Sequence, residues 1–170
     1  TGVAGLSIED TGEGRDSPLF ELAEAVERVR AARAAIDGSG ADVLLTARAE
    51  CFLVGHPDPL QESIRRLEAY AEAGADVLYA PGVRDRDDIR AIVEAVHPKP
   101  VNVLMSGNVG LRVADLAELG VRRVSVGSAL ARAAWGGFLG AAGEIAQEGS
   151  FTSFDTAASS AELDALFEEP

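Results

Sequence analysis

From Val3 to about Ala146, short apolar runs alternate with longer segments of helical period, a pattern that few folds accommodate. Five runs read as strands: Val3 to Ile8, Asp42 to Thr46, Asp76 to Ala80, Val101 to Met105 and Arg123 to Val126. Each is apolar at nearly every position, as expected of parallel strands covered on both faces. A segment of helical period follows each one. Strict alternation of this kind gives parallel crossovers, so the predicted class is α/β, either a doubly wound open sheet or a (β/α)₈ barrel.

The helical segments carry their own punctuation. Leu22, Val26, Val29 and Ile36 recur at helical spacing, while Glu21, Glu24, Arg28 and Arg30 fall on other faces. Asp58 is placed to cap a second helix, with Pro59 at its first position and Gln61 where a capping box expects it. Asp85 is placed to cap a third, which carries Ile89, Ile92, Val93 and Val96 and must end before His97-Pro98. Gly40-Ala41-Asp42-Val43-Leu44 and Gly74-Ala75-Asp76-Val77-Leu78 introduce two strands with one phrase, which marks the repeat as helix, glycine turn, strand. After Ala146 the period weakens, so 1–148 is read as the repeating domain. Residues 149–170 are read as a turn-rich tail with a short terminal helix around Leu163, Leu166 and Phe167, either docked on a partner subunit or frayed.

Composition narrows the function classes. The 170 residues are 47% hydrophobic with a formal net charge of −13, so the surface is wrong for neutralising phosphates and no nucleic-acid partner is expected. The longest apolar runs are strand-sized, far short of the roughly 20 residues of a membrane helix. Cys51 is the single cysteine and cannot form an internal disulfide, which points to a reducing cytoplasm. The start at Thr1, without the basic flank of a secretion signal, reads as a cut or processed chain.

In parallel α/β folds the ligand lies beyond the carboxyl ends of the strands, so the residues after each apolar run are the candidates. They are Glu9-Asp10-Thr11, Arg48 with Glu50, Pro81-Gly82, Ser106-Gly107-Asn108 and Gly127-Ser128. Glu9 and Asp10 point to opposite sides, so only one faces the centre. That one can hold Mg²⁺ directly or through water, or simply form a cap or salt bridge. Arg48 stands where a planar fork can clamp a carboxylate or phosphonate, or where it can pair with Glu9 or Glu50. The turns at Gly107-Asn108-Val109-Gly110 and Gly127-Ser128 either receive an anion or merely end strands. Cys51 reads as a buried inert thiol, His56 and His97 as surface residues, and Trp135 with Phe138 as packing.

Three stretches, Gly5-Leu6-Ser7-Ile8-Glu9-Asp10, Leu45-Thr46-Ala47-Arg48-Ala49-Glu50-Cys51-Phe52 and Ala71-Glu72-Ala73-Gly74-Ala75-Asp76, together resemble the isocitrate lyase/phosphoenolpyruvate mutase superfamily in content, order and spacing. Asn102-Val103-Leu104 and Arg123-Val124-Ser125-Val126-Gly127 resemble its mutase-like or methylisocitrate-lyase-like branch. The resemblance implies a partial TIM barrel, strands four to eight of eight. It also implies a Mg²⁺-dependent lyase or mutase acting on C–C or P–C bonds of small α-keto or α-hydroxy carboxylates. Glu9 then belongs to the Mg²⁺ shell through water and, with Arg48, to the catalytic set, while Arg48 holds the substrate carboxylate; Ser106 and Asn108, from their place after the fourth apolar run, are the further substrate-binding candidates. The complete protein is expected to be a homo-oligomer.

Two departures accompany the resemblance. A complete barrel takes about 250 residues, so about three βα units, with the family's acidic metal pair, are expected to be lacking here. The loop after Glu9, Asp10-Thr11-Gly12-Glu13-Gly14-Arg15-Asp16-Ser17, also has neither the lyase "KRCGH" motif nor the mutase lysine and asparagine. A phosphate-binding barrel enzyme using the loops at Asn108 and Ser128, and a catalytically inactive scaffold or oligomerisation module, are therefore kept as alternatives.

Overall fold

The computed structural model describes residues 2–12 and 18–168. Segment 13–17, within the loop that lacks the lyase and mutase motifs, lies outside the described residues, as do residues 1, 169 and 170. The chain forms two compact units, 1–127 and 128–170.

The first unit runs β1 (Gly5–Glu9), α1 (Leu22–Ser39), β2 (Leu44–Arg48), α2 (Pro59–Glu72), β3 (Val77–Tyr79), α3 (Arg86–Ala95), β4 (Val101–Leu104), α4 (Val113–Glu118) and β5 (Arg123–Ser125). All strand pairs are parallel, and the order across the sheet is β1-β2-β3-β4-β5. A doubly wound sheet reverses its order at a switch point, whereas the wall of a barrel does not. This sheet shows no reversal, so the fold is a partial (β/α)₈ barrel.

The helices that contact the sheet do so in sequence, α1 on β1 and β2, α2 on β2 and β3, and α3 on β4. Leu45, Ala47, Leu78 and Val103 are fully buried among them, each large side chain contributing about 1.5–3 kcal/mol of burial. From the helices, Leu67, Tyr70, Ile89 and Ile92 complete that layer. Strand alternation sends Thr46, Arg48, Val77, Tyr79 and Leu104 toward an open cavity instead. Strands apolar on both faces were expected from the sequence; here one face is apolar and the other carries much of the polarity of the sheet.

Helix starts follow the sequence. Asp58 Oδ1 accepts from the Gln61 N–H at 3.4 Å, with Pro59 at the first position of α2. Asp85 Oδ1 accepts from the N–H groups of Asp87 and Asp88 at 2.8 and 3.1 Å, opening α3. Asp76 ties three elements together: its Oδ2 accepts from Leu45 N–H at 2.8 Å and from Arg33 Nη1 at 2.9 Å.

Two strands sit further along the chain than their apolar runs suggest. Gly40, at φ 67°, ends α1, and a turn closes from Val43 N–H to Ala41 C=O at 3.1 Å. The phrase Gly40-Ala41-Asp42 is thereby used as a connection. The ladder begins where Leu44 N–H donates to Ala4 C=O at 3.0 Å, so β2 extends through Arg48. In the same way β1 runs to Glu9 rather than stopping at Ile8.

The second unit contains α5 (Ala129–Glu148), a 3-10 turn (Thr152–Thr156) and α6 (Ser160–Ala165). Glu144 holds the turn by accepting from the N–H and hydroxyl of Thr152, both at 2.7 Å, and from Ser150 and Ser153. Those donors pull its carboxyl well below the usual range. Ser159 and Glu162 form a reciprocal capping box at α6. Trp135 and Phe138, expected as packing, pack edge to face on each other with centroids 5.4 Å apart.

Candidate active site

Register brings one residue from every strand into a single row across the sheet. Glu9 pairs with Arg48, Arg48 with Tyr79, Tyr79 with Asn102, and Asn102 with Arg123. In parallel strands, register partners project from the same face. This row is thus a layer of inward-pointing side chains of the kind that fills a barrel interior. Arg48, Tyr79 and Arg123 line an open cavity of about 640 Å³, together with Ser7, Thr46, Ser125 and Gly127.

Arg48 is held on three sides. Its Nη1 meets Glu9 Oε1 at 2.5 Å, its Nε donates to Glu50 Oε1 at 2.7 Å, and its guanidinium carbon lies 5.2 Å from the centre of the Tyr79 ring. The alternatives of a pair with Glu9 or a pair with Glu50 are therefore both realised. Its Nη1 and Nε are thus both engaged by carboxylates. Burial keeps the Glu50 carboxyl above the usual range, although Arg48 pulls it down. Burial likewise pushes the Tyr79 phenol up.

Asp10 faces the other way, as alternation requires. It is 2% exposed. Its Oδ1 accepts from Glu50 N–H at 2.9 Å, and its Oδ2 from Tyr70 OH at 2.7 Å and Arg66 Nη1 at 3.1 Å. Arg66 in turn meets Glu62 at 2.6 Å and donates to Phe20 C=O at 3.0 Å. The network locks the end of β1 to α2 and to the backbone of Glu50, which itself holds Arg48. An antiparallel bridge between Thr11 and Leu19 closes the base of the loop that follows.

The far side of the cavity has a second polar chain. Tyr79 and Ser125 both line the cavity. Asn102 Nδ2 donates to Ser125 Oγ at 3.0 Å, and Arg123 Nη1 donates to Asn102 Oδ1 at 3.4 Å. Inspection of the residues after each apolar run passes over Tyr79, Asn102, Arg123 and Ser125. The signal for them was a polar residue at alternate positions inside a strand, as in Val101-Asn102-Val103 and Arg123-Val124-Ser125.

Ser106 and Asn108 are not among the residues lining this cavity. Asn108 is exposed and accepts from Gly110 N–H at 2.9 Å, which makes a local turn. Gly127 lines the cavity, and Ser128 opens the second unit. Cys51 is fully buried, and burial pushes its thiol up, which suits an inert side chain.

Mg²⁺ takes oxygen ligands and keeps several waters. Among the described residues no group of three or more His, Cys, Asp or Glu is placed to hold a metal. Glu9 has a side chain 47% exposed and one oxygen already on Arg48, which fits a single contact through water. These residues do not by themselves make a Mg²⁺ site.

Comparison with known proteins agrees with the geometry. Residues 1–146 match the family described as phosphoenolpyruvate phosphomutase. An oxaloacetate decarboxylase of Pseudomonas fluorescens Pf-5 is 38% identical over 128 residues, covering 71% of this chain and 42% of the relative. A solved structure from Burkholderia cenocepacia J2315 is 47% identical with a TM-score of 0.90, covering 99% of this chain and 60% of that one. A phosphonopyruvate hydrolase solved with oxalate and Mg²⁺ is 30% identical with a TM-score of 0.78, covering 97% of this chain and 59% of that one. The chain spans less than half the length of the curated relatives it matches. With its sequential parallel wall and the Glu9–Arg48 pair at the strand ends, the chain belongs to the phosphoenolpyruvate phosphomutase family of the phosphoenolpyruvate mutase/isocitrate lyase superfamily.

Proposed function

We propose that the chain supplies the Arg48 side of the active site of a Mg²⁺-dependent lyase or mutase, which breaks or forms a C–C or P–C bond next to a carboxylate of a small α-keto or α-hydroxy acid. The observation that carries the reading is Arg48 itself. It is a guanidinium held by Glu9, Glu50 and the Tyr79 ring, and it lines an open cavity in a fold whose ligands lie at the strand ends. A fork fixed in this way can receive a carboxylate without first being ordered.

In this reading Arg48 orients the acid, and Glu50 and Tyr79 keep the guanidinium from swinging. Glu9 contributes one water-mediated contact to Mg²⁺, whose other ligands come from beyond these 170 residues. The bound metal would stabilise negative charge developing beside the carboxylate. The relatives' names support the substrate class, oxaloacetate for one and phosphonopyruvate for another. The barrel is completed by about three further βα units, and the working location is the cytoplasm.

The test is turnover of 2-keto and 2-hydroxy acids by the completed barrel, with and without Arg48→Lys. Lysine keeps the charge and loses the fork, so kcat/KM is expected to fall by about tenfold to hundredfold, the worth of a charged hydrogen bond. Turnover that is indifferent to Arg48→Lys would remove the basis of this reading.

A further inference from the structure

The ladder between β1 and β2 is prolonged by one rung past the end of β1, and a side chain supplies that rung. Leu44 N–H donates to Ala4 C=O at 3.0 Å, and Glu9 is the register partner of Arg48. A parallel ladder repeats every two residues, so the same pattern brings Glu50 N–H opposite Asp10. The Asp10 carbonyl instead accepts from Phe20 N–H at 2.8 Å. The Asp10 carboxylate takes its place, with Oδ1 accepting from Glu50 N–H at 2.9 Å. Glu50 C=O accepts in turn from the N–H groups of Leu53 and Val54 at 2.9 and 3.1 Å, so the Glu50 backbone is fixed on both sides. Residues 48 and 50 share a face of an extended chain, and Glu50 accordingly stands beside Arg48 and accepts from its Nε at 2.7 Å.

Asp10 is itself held in place. Its Oδ2 accepts from Tyr70 OH and Arg66 Nη1, so the carboxylate cannot turn away from Glu50 without breaking two further bonds. Asp10, Glu50, Arg66 and Tyr70 are each between 1% and 5% exposed. The rung lies at the carboxyl ends of β1 and β2, the end of the strands where ligands of this fold are bound.

We propose that Asp10 is a positioning residue, which sets the direction of the Arg48 guanidinium through Glu50 and thereby the affinity of the site for a carboxylate. The inference rests on the Arg48 reading above and deepens it. Without the rung, the Glu50 carboxylate loses its fixed place beside Arg48. The guanidinium then has to be ordered as the acid binds, and that ordering is subtracted from affinity.

The experiment is calorimetric titration of oxalate, with Mg²⁺ present, into the completed barrel and its variants. Asp10→Ala removes the rung and is expected to weaken oxalate about fivefold to tenfold, the worth of one hydrogen bond. Tyr70→Phe removes a bond to the other oxygen and leaves the rung, so it is expected to lower the urea midpoint yet keep oxalate affinity within about twofold. In a Glu50→Ala background the link to Arg48 is already cut, and Asp10→Ala is expected to weaken oxalate no further. Should Asp10→Ala fail to fold, Asp10→Ala combined with Arg66→Met replaces it, since no buried guanidinium is then left without its acceptor. Oxalate affinity unchanged by loss of Asp10 overturns the inference while the Arg48 reading stands. So does a loss in Tyr70→Phe as large as that in Asp10→Ala, or an undiminished effect of Asp10→Ala in the Glu50→Ala background. Failure of the unsubstituted barrel to bind oxalate, or binding that survives Arg48→Ala, overturns both.

Discussion

Glu9 and Asp10 are adjacent in sequence and serve opposite purposes, because strand alternation turns one to the face that carries Arg48 and the other into the helix layer. Asp10 is buried against Arg66 and Tyr70, so Asp10→Ala strands a buried guanidinium and a phenol without their acceptor. Breaking such a pair costs about 3–5 kcal/mol, and urea unfolding of the chain should show a loss of that size; a loss below about 1 kcal/mol, typical of an exposed pair, would contradict the network described. Glu50 gives a prediction with a sign. Folding raises its carboxyl pKa, mainly by burial, so the protonated form favours the folded state. That contribution is fully present below the unfolded value, about 4.3, and is lost as pH rises through the folded value. Glu50→Gln is neutral throughout, so its stability relative to the parent should improve between about pH 4 and about pH 7. Urea midpoints of both proteins at both pH values check this, and a difference that does not move with pH would contradict it.

At the scale of elements, the caps were legible in the sequence because each is a local event. Asp58-Pro59 and Asp85 mark helix starts through bonds to their own neighbours. Asp85→Ala removes an acceptor shared by two N–H groups and should cost about 1 kcal/mol in thermal or urea unfolding. Asp58→Ala, which removes a longer contact of 3.4 Å, should cost less, and the reverse order would contradict the cap geometry. The strands were legible as apolar runs, but their ends were not, since a ladder begins where a neighbouring strand offers a partner. That is why Arg48 and Glu9 lie within strands rather than after them. The cavity row was legible only in part for the same reason. Alternation shows that Asn102 and Arg123 differ from their apolar neighbours, but only register shows that they stand beside Tyr79 and Arg48.

At the scale of the molecule, the sheet has two edge strands, β1 and β5. Val3, Leu6 and Val124 are apolar side chains 37–48% exposed on or beside those edges. Open edges with apolar flanks pair with other chains, so sedimentation velocity of the chain should show a mass that rises with concentration; a cooperative monomer at all concentrations would count against this. The family was legible because its motifs sit at the strand ends that carry the chemistry, Glu9-Asp10 and Arg48 with Glu50. The substrate was not, since a guanidinium such as Arg48 matches a carboxylate or a phosphonate alike. In the proposed site Arg48 receives a carboxylate beside Mg²⁺, and further βα units complete the barrel. Calorimetric titration of oxalate with Mg²⁺ tests it most directly, on the chain, on a form extended upstream by about three βα units, and on that form with Arg48→Ala. Binding by the extended form, lost with Arg48→Ala, is the predicted result; no binding by the extended form, or binding that survives Arg48→Ala, would contradict it.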